Sequence, residues 1–504
     1  MPNGTTVTFI LYFVILLVIG AYFYRRSTSI EDYLLGGRGM GAWVTALSAQ
    51  ASDMSGWLLM GLPGAVYLAG GREVWIAVGL FVGTALNWLI VASRLRVYTE
   101  RVGAITLPCF FEARFADPTG LVRTLSALVI LIFFTIYATS GLVAAGRLFE
   151  SAFNLPYSGA VLVGGVIIVF YTFLGGFLAV CWTDLFQGSL MLLAIVVVPI
   201  WGMMQLGGPG AVGHRLTEQG VSMNVFPAGF GAVGLLSATA WGLGYFGQPH
   251  ILTRFMSARS LSKLRESMAI AIVWVALSLA GAVAIGLVGA GMVPGLKDGE
   301  EEKVFIYMIQ DLLDPWLGGV MLAAILSAIM STIDSQLLVS SSALSEDFYQ
   351  KVLRRQAAPK EVVRVGRLCV LVIAAIALVL ALAVDPKRNP DETILRIVAY
   401  AWGGFGAAFG PVMLFALFSR RTTWYSALAG MVAGTVTLVV WKQTGLGGWL
   451  YEIVPGFLAG VLAIAVIDRI APQRDAGILR VHEEVVAMVG GRDRKPPGMP
   501  PATK

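Results

Sequence analysis

The chain has 504 residues, of which 57% are hydrophobic and only 13% are charged, and its formal net charge is +6. Because a soluble protein carries about 25% charged residues, this composition excludes an ordinary soluble fold and predicts a polytopic membrane protein. The basic excess does not require a nucleic-acid partner, since the cytoplasmic loops of membrane proteins are rich in lysine and arginine. The three cysteines and three histidines have no metal-binding spacing, and no nucleophile–base pair is visible, so an enzyme is not expected.

Thirteen apolar segments follow one another along the chain, and a bilayer crossing takes roughly 20 such residues. Their approximate bounds are 6–24, 42–69, 74–93, 124–146, 157–179, 185–206, 229–250, 268–293, 316–340, 368–385, 394–418, 424–441 and 452–467. If the N-terminus lies outside, most of the 36 lysines and arginines fall in inside loops, as the positive-inside rule favours. The prediction is one transmembrane domain over 1–470 and a partly disordered cytoplasmic tail over 471–504.

The second apolar segment, 42–69, carries polar and helix-breaking residues at membrane depth. Asp53 is its only charged residue, and Gly56, Pro63 and two further glycines weaken the helix around it. A broken helix in a bilayer is tolerated only where its freed backbone groups find partners, and a carboxylate there usually faces a cavity. These features predict a substrate or ion site on a discontinuous helix. The alternative is a kinked packing helix in which Asp53 pairs with a neighbour.

A second interrupted segment lies at 229–250, where Gly242, Gly244 and Gly247 come shortly before Pro249. It comes five segments after the first interrupted one, so the two cross the membrane in opposite directions. Two interrupted segments at matching places in two halves indicate inverted repeats with a binding site at their interface. We place these repeats at about 42–206 and 229–418.

The ninth segment offers hydroxyl oxygens on one helix face, because Ala328, Ser331 and Thr332 are spaced i, i+3 and i+4. A small hard cation is bound by about six oxygen atoms, and two hydroxyls with a backbone carbonyl suit it. Carbonyls of an unwound stretch at Ala51 and Met54 could complete the shell. The alternative is that the two hydroxyls only bond back to carbonyls of their own helix.

Two further acidic residues lie within or beside apolar segments. Asp184 stands near the start of the sixth segment, where a carboxylate could simply cap the helix. Asp334 lies inside the ninth segment. It is predicted to line a cavity on the cytoplasmic side or to form a salt bridge with an arginine of an inner loop.

The longest outside loops are predicted at 207–228 and 294–315. The second runs into 304–309, an apolar stretch that predicts a short surface helix. Such loops are normally solvated, and a lid over the binding site is the alternative.

Several motifs are similar to those of the sodium/solute symporter family, and together they extend over about residues 30–460. They are Leu35-Gly36-Gly37-Arg38, the stretch 51–64, Phe133-Phe134-Thr135-Ile136-Tyr137, Tyr171-Thr172-Phe173-Leu174-Gly175-Gly176-Phe177, Trp182-Thr183-Asp184, the stretch 241–250, Ser331-Thr332 with Gln336-Leu337-Leu338, and the stretch 400–411. One departure concerns Asp334 and Ser335, which stand where the family pattern has a serine and a cysteine.

The resemblance implies an all-α membrane protein with 13 transmembrane helices, whose helices 2–6 and 7–11 form a LeuT-like core of two inverted repeats. It implies multi-pass insertion in the inner, cytoplasmic membrane, with the N-terminus outside and the C-terminus in the cytoplasm. The implied function is sodium-coupled uptake of L-proline by alternating access, with Na+ as the coupling ion. No obligate protein partner is expected.

The resemblance also implies a set of site residues. The sodium ligands would be the backbone carbonyls of Ala51, Met54 and Ala328 and the hydroxyls of Ser331 and Thr332. The proline pocket would be lined by Trp57, Tyr137, Trp241, Tyr245 and Pro249. Residues with a supporting or coupling role would be Arg38, Asp53, Ser55, Gly56, Asp184 and Asp334, the last of which could alter ion preference or permit a proton role.

Two other functions remain compatible with these residues. One is a sodium symporter of the same family with another small solute. The other is a transporter-like receptor that binds proline and signals, which would need an output domain or partner beyond the short tail.

Overall fold

The computed structural model of the protein describes residues 3–24, 35–174, 176–385, 389 and 392–490. Apart from one isolated β-bridge between Met40 and Ala258, the regular structure of these residues is helical, which confirms the predicted all-α fold. In this described part, ten helices are long and apolar enough to cross a membrane. The count of thirteen crossings and the domain and repeat boundaries stay predictions.

The α-helices of the described residues are labelled here in chain order. They are α1 (Asn3–Tyr24), α2 (Ala42–Asp53), α3 (Leu62–Ala69), α4 (Val74–Leu86), α5 (Ser93–Arg101), α6 (Leu107–Phe115), α7 (Leu121–Phe153), α8 (Tyr157–Leu174), α9 (Phe177–Gln205) and α10 (Pro209–Glu218). They continue with α11 (Ala232–Thr239), α12 (Pro249–Ser257), α13 (Leu261–Met292), α14 (Val304–Leu312), α15 (Pro315–Ser342), α16 (Pro359–Ala383), α17 (Ile394–Phe418), α18 (Trp424–Gln443), α19 (Ile453–Ile470) and α20 (Ala476–Val489).

Both predicted interruptions are present. Helix α2 ends at Asp53, Met54 leaves the helical conformation with φ −89° and ψ 82°, and a π-helix over Trp57–Gly61 leads into α3. In the second interrupted segment, a 3-10 helix over Ala240–Gly247 ends at an extended Gln248 before α12 begins. The glycines and prolines therefore break these segments, as expected from their poor helix propensity.

Glycine allows the second broken segment to approach its neighbour α4 closely. A Cβ atom added at Gly242 would lie 2.4 Å from the carbonyl oxygen of Gly79, which is closer than any real contact. Membrane helices commonly use small residues in this way, because lipid provides no hydrophobic drive for their association and close packing must replace it. The 3-10 segment is therefore held against α4 by backbone-to-backbone contact.

The predicted outer loop at 294–315 is solvated only in part, since Lys297 and Asp298 are exposed. The short helix predicted at 304–309 is present as α14, but its apolar side chains are buried, so its expected place on the surface was wrong. Glu301, Glu302 and Lys303, just before it, are buried as well. The Glu302 carboxylate lies 2.8 Å from Arg147 Nη1 and accepts hydrogen bonds from the first two N–H groups of α17. Glu302, which the sequence placed in a solvated loop, thus has partners on two distant helices. A carboxylate at the N-terminus of a helix is electrostatically favourable.

The tail begins with a docked helix, α20, whereas its predicted disordered end at 491–504 lies outside the described residues. His482 is buried, and its Nδ1 atom lies 3.4 Å from the Arg114 guanidinium. Glu484 forms an ion pair with Arg101 at 2.6 Å. Helix α20 therefore covers α5 and α6 at one end of the bundle.

The docking of α20 is predicted to weaken as the pH falls from about 6.5 to about 4. Burial and the neighbouring Arg114 guanidinium lower the pKa of His482 to about 4, from an ordinary value of 6.5. Between these values the undocked helix binds more protons than the docked one, so docking becomes more stable as the pH rises. Hydrogen exchange of α20, corrected for the intrinsic rate, should show less protection at pH 5 than at pH 7.

The matched control for this pH dependence is His482→Gln, which keeps a polar side chain that does not titrate. Its protection should be the same at both pH values. Equal protection of the unsubstituted protein at pH 5 and pH 7 would contradict the prediction.

Candidate ion and substrate site

The break after Asp53 releases a backbone carbonyl from the helix. The N–H of Ser55 bonds to the carbonyl of Asp53 at 3.1 Å, so it does not continue the α-helical ladder to the carbonyl of Ala51. A carbonyl freed inside a membrane protein must find another partner. The Ala51 carbonyl finds one on α15, where it accepts hydrogen bonds from Ser331 Oγ at 2.7 Å and Thr332 Oγ1 at 3.3 Å.

Four oxygen atoms therefore meet between α2 and α15. The Ala328 carbonyl lies 3.3 Å from Ser331 Oγ and 3.1 Å from Thr332 Oγ1, and both hydroxyls also reach Ala51. All of these residues are buried. The alternative was that the two hydroxyls bond only to carbonyls of their own helix, and the bonds to Ala328 are of that kind. The bonds to Ala51, however, link two different helices. A neutral cluster of oxygen atoms of this kind has the chemistry that a small hard cation requires.

Met54 lies at the break and is buried. Its N–H donates to the Gln50 carbonyl at 2.9 Å. The hydrogen bonds of the described residues do not join its carbonyl to the oxygen cluster, so its place among the ion ligands stays a prediction.

Asp53 holds three predicted pocket aromatics together. Its Oδ2 atom accepts a hydrogen bond from the Tyr245 hydroxyl at 2.7 Å. Its backbone carbonyl accepts from Trp57 Nε1 at 3.1 Å and from the Tyr137 hydroxyl at 3.3 Å. The side chains of these three aromatics are each about 1% exposed, so this part of the site is sealed from solvent.

Trp241 and Pro249 belong to the same broken segment as Tyr245. The Trp241 carbonyl accepts a hydrogen bond from Trp402 Nε1 at 2.7 Å, and the Tyr245 ring packs edge-on against Trp402 at 4.9 Å. Pro249 occupies the first turn of α12, where its missing N–H is no loss. Trp402 thus contacts both Trp241 and Tyr245, whereas the place of Pro249 in the pocket stays a prediction.

Trp402 was not among the predicted site residues, yet it braces the 3-10 segment. A Cβ atom at Gly244 would lie 1.9 Å from Trp402 Nε1, so only glycine fits there. The sequence signal that could have found Trp402 was the glycine-rich composition of its own segment, 394–418, and of the second interrupted segment. Composition does not show which tryptophan packs against which glycine.

The smaller supporting residues lie at the break itself, whereas Arg38 does not. Ser55 Oγ accepts from the Trp57 N–H at 3.4 Å, and a Cβ atom at Gly56 would lie 2.7 Å from that of Ala144 on α7. The Arg38 guanidinium bonds instead to the carbonyls of Met256 and Ala104 and to Thr99. It therefore ties α5 to the end of α12, away from the oxygen cluster.

Asp184 is not a helix cap, so that alternative was wrong. It lies two turns inside α9, is fully buried, and accepts hydrogen bonds from Ser48 Oγ at 2.6 Å and Arg254 Nη2 at 3.3 Å. Arg254 falls between the predicted segments 229–250 and 268–293, which predicts an inside-loop charge, but it lies fully buried in α12. A buried carboxylate requires such a partner, and that requirement was the signal that could have found Arg254.

Asp334 lies on α15 beside the Asp184–Arg254 pair and is fully buried. Its Oδ1 atom accepts from Ser335 Oγ at 3.3 Å, and Ser335 Oγ in turn accepts from Arg254 Nη2. Among the ion pairs of the described residues, none involves Asp334, so the predicted salt bridge to a loop arginine is not found there. The acid is instead linked to Arg254 through Ser335.

The fold is shared with a solved membrane transporter. A Na+-coupled sialic acid symporter in a substrate-bound outward-open state has a TM-score of 0.76 with this chain, at 18% identity, and covers 93% of this chain and 98% of the other. At this identity the likeness shows the fold alone. It is the LeuT fold of membrane transporters, as predicted.

The sequence comparison then shows the family. Residues 33–434 match the model of the sodium:solute symporter family, and the chain belongs to this family. It is 47% identical over 488 residues to the sodium/proline symporter of Escherichia coli K12, covering 95% of this chain and 96% of the relative. It is 49% identical over 471 residues to that of Salmonella typhimurium LT2, covering 92% of each.

Replacing Tyr245 with phenylalanine is predicted to destabilise the protein by about 1–3 kcal/mol, because Asp53 Oδ2 would lose its donor while staying buried. Thermal unfolding in detergent measures this. Tyr425→Phe is the matched control, since its hydroxyl bonds to the Ala471 carbonyl at an exposed position. Equal melting temperatures for the two variants would argue against a structural role of the Tyr245–Asp53 bond.

Proposed function

We propose that this member of the family is a sodium-coupled symporter that takes up L-proline by alternating access. The observation that supports it most strongly is the contact of the freed Ala51 carbonyl with the hydroxyls of Ser331 and Thr332. The close relatives are sodium/proline symporters over nearly their whole length. Na+ is the coupling ion and proline the solute.

The sodium ion is bound between α2 and α15. Its ligands are the carbonyls of Ala51, Met54 and Ala328 and the hydroxyls of Ser331 and Thr332. All five groups bind through oxygen, which a hard cation prefers. They are uncharged, so the charge at the site is that of the ion. When Na+ enters, the two hydroxyls turn their protons away, and the ion replaces their direct hydrogen bonds to Ala51.

The proline pocket lies on the other side of the same break. It is lined by Trp57, Tyr137, Trp241, Tyr245 and Pro249. The aromatic faces suit both the apolar pyrrolidine ring and its secondary ammonium group. The proline carboxylate is bound by backbone N–H groups that the two helix breaks leave free.

Coupling follows from the short distance along the chain between the two sites. Ala51 belongs to the ion site, Asp53 holds the aromatics, and Ser55 and Gly56 shape the backbone between them. Ordering this stretch by sodium therefore favours proline binding, and proline must favour sodium equally. One charge moving through about 100 mV supplies roughly 2.3 kcal/mol, and a tenfold sodium gradient adds about 1.4 kcal/mol.

The remaining charged residues have positional roles in this proposal. Asp184 and Asp334 lie beside the inward path of the ion, and Arg38 ties the ends of α5 and α12 in gating. The protein spans the cytoplasmic membrane with its N-terminus outside and its C-terminus inside. The basic residues gathered where α20 docks, including Arg101 and Arg114, support this orientation.

The double change Ser331→Ala with Thr332→Ala is predicted to abolish sodium-driven proline uptake, because it removes two of the five oxygen ligands. Labelled proline uptake into proteoliposomes measures this under an inward sodium, potassium or proton gradient. The matched control is Ser189→Ala, since the exposed Ser189 hydroxyl bonds only to the Leu185 carbonyl of its own helix.

Two outcomes would contradict parts of the proposal. Equal uptake with a proton gradient would overturn the ion assignment and direct attention to Asp334. An absence of proline uptake under every gradient, in protein that is folded, would overturn the substrate.

A further inference from the structure

The Trp241 ring, which the proposed function places in the proline pocket, packs against a residue from outside the two predicted repeats. The Tyr451 ring lies 5.5 Å from it, centroid to centroid, at an interplanar angle of 36°. Tyr451 belongs to the connection between α18 and α19. These two helices fall in the last two predicted apolar segments, beyond the repeats at about 42–206 and 229–418. A helix pair to which the sequence assigned no site residue thus contacts a predicted pocket residue.

Tyr451 is held in place by hydrogen bonds at both ends. Its backbone N–H donates to Ser237 Oγ on α11 at 3.2 Å, and its hydroxyl donates to the Ala399 carbonyl of α17 at 2.7 Å. Gly403, one turn further along α17, leaves room for the hydroxyl, since a Cβ atom there would lie 3.3 Å from it. The residue is buried. A buried tyrosine with a bonded hydroxyl has few alternative orientations, so its ring is a fixed surface.

Trp241 depends on support from other segments because of the helix that carries it. It lies in the glycine-rich 3-10 helix over Ala240–Gly247. A 3-10 helix has poorer hydrogen-bond geometry than an α-helix, and glycine offers no side chain that could brace a neighbour. Two contacts compensate for this: Trp402 Nε1 bonds to the Trp241 carbonyl, and the Tyr451 ring packs on the indole. The backbone and the side chain of Trp241 are therefore fixed by different residues.

The orientation of the indole matters for binding in the proposed function. A cationic group is attracted to the face of an aromatic ring, within about 6 Å of its centroid. A side chain that binds a ligand is effective only when its neighbours hold its rotamer. The Tyr451 ring is such a neighbour of Trp241, so its removal leaves the indole free to turn.

We propose that Tyr451 is a positioning residue of the proline site, which holds the Trp241 ring in the orientation that meets the solute. It acts through Trp241 and does not itself touch proline. The helix pair α18–α19 thereby contributes to proline affinity, although it lies outside the predicted repeats. The proposal rests on the function proposed above, and specifically on the place of Trp241 in the pocket.

The test compares the apparent KM for proline in sodium-driven uptake by proteoliposomes. Tyr451→Leu removes the ring and should raise this KM about three- to tenfold, the contribution of one aromatic pair, while the maximal rate per folded protein stays within about twofold. Tyr451→Phe keeps the ring but loses the bond to the Ala399 carbonyl. It should lower the melting temperature, because a buried hydrogen bond is lost, and leave the KM unchanged.

Trp449→Leu is the matched control. Trp449 lies in the same connection, and its exposed ring pairs with Trp441 at 6.3 Å. This variant should have the KM of the unsubstituted protein. Tyr451→Met, whose flexible side chain refills the space without a ring, keeps the test decisive if Tyr451→Leu does not fold.

A double substitution shows whether Tyr451 acts through Trp241. In a Trp241→Leu background, Tyr451→Leu should cause no further increase in the KM, because the ring that it positions is already absent. An equal increase in both backgrounds would mean that Tyr451 affects the KM by another route, and it would overturn the positioning role. An unchanged KM for Trp241→Leu alone would overturn it too.

The outcomes separate the two proposals. If the unsubstituted protein shows no sodium-driven proline uptake, the proposed function fails and the positioning role fails with it. If uptake is sodium-driven and the variants without a ring lower only the maximal rate, the positioning role is overturned while the function stands. An increase in the KM for Tyr451→Phe as large as that for Tyr451→Leu would also overturn it, since the hydroxyl and not the ring would then be responsible.

Discussion

The interruption of the second apolar segment is the constraint on which the rest of the structure depends. Inside a membrane protein a carbonyl cannot be left without a partner, so the carbonyls of Ala51 and Asp53 must find donors outside their own helix. Helix α15 supplies two hydroxyls to Ala51, and aromatic residues of α7 and the second broken segment supply hydroxyls to Asp53. One local break therefore brings an oxygen cluster and a group of buried aromatic side chains together.

Buried charge is managed in two different ways around this break. Asp53 is paired with hydroxyl and indole donors and has no cationic partner among its hydrogen bonds. Asp184 is paired with Arg254, and Asp334 is joined to the same arginine through Ser335. Burying an isolated charge is costly, so the position of one arginine decides which acids can be accommodated there.

Close packing at glycine keeps these sites in place. Gly242 lies against the backbone of α4, and Gly244 leaves room for Trp402, so the second broken segment is held from two directions. At the opposite end of the bundle from α20, Glu302 closes the start of α17 with Arg147. The side chains of Trp57, Tyr137 and Tyr245 are buried behind these contacts.

The amino-acid sequence by itself determined the membrane class, the two broken segments and the face of Ser331 and Thr332. Hydropathy, helix-breaking residues and helical spacing are local properties, and they are readable without a fold. Only the tertiary structure decided that Arg254 is a buried partner of Asp184 rather than a loop charge, and that Glu302 closes a distant helix. The partner of a charged side chain depends on how remote helices pack, and no local pattern encodes that.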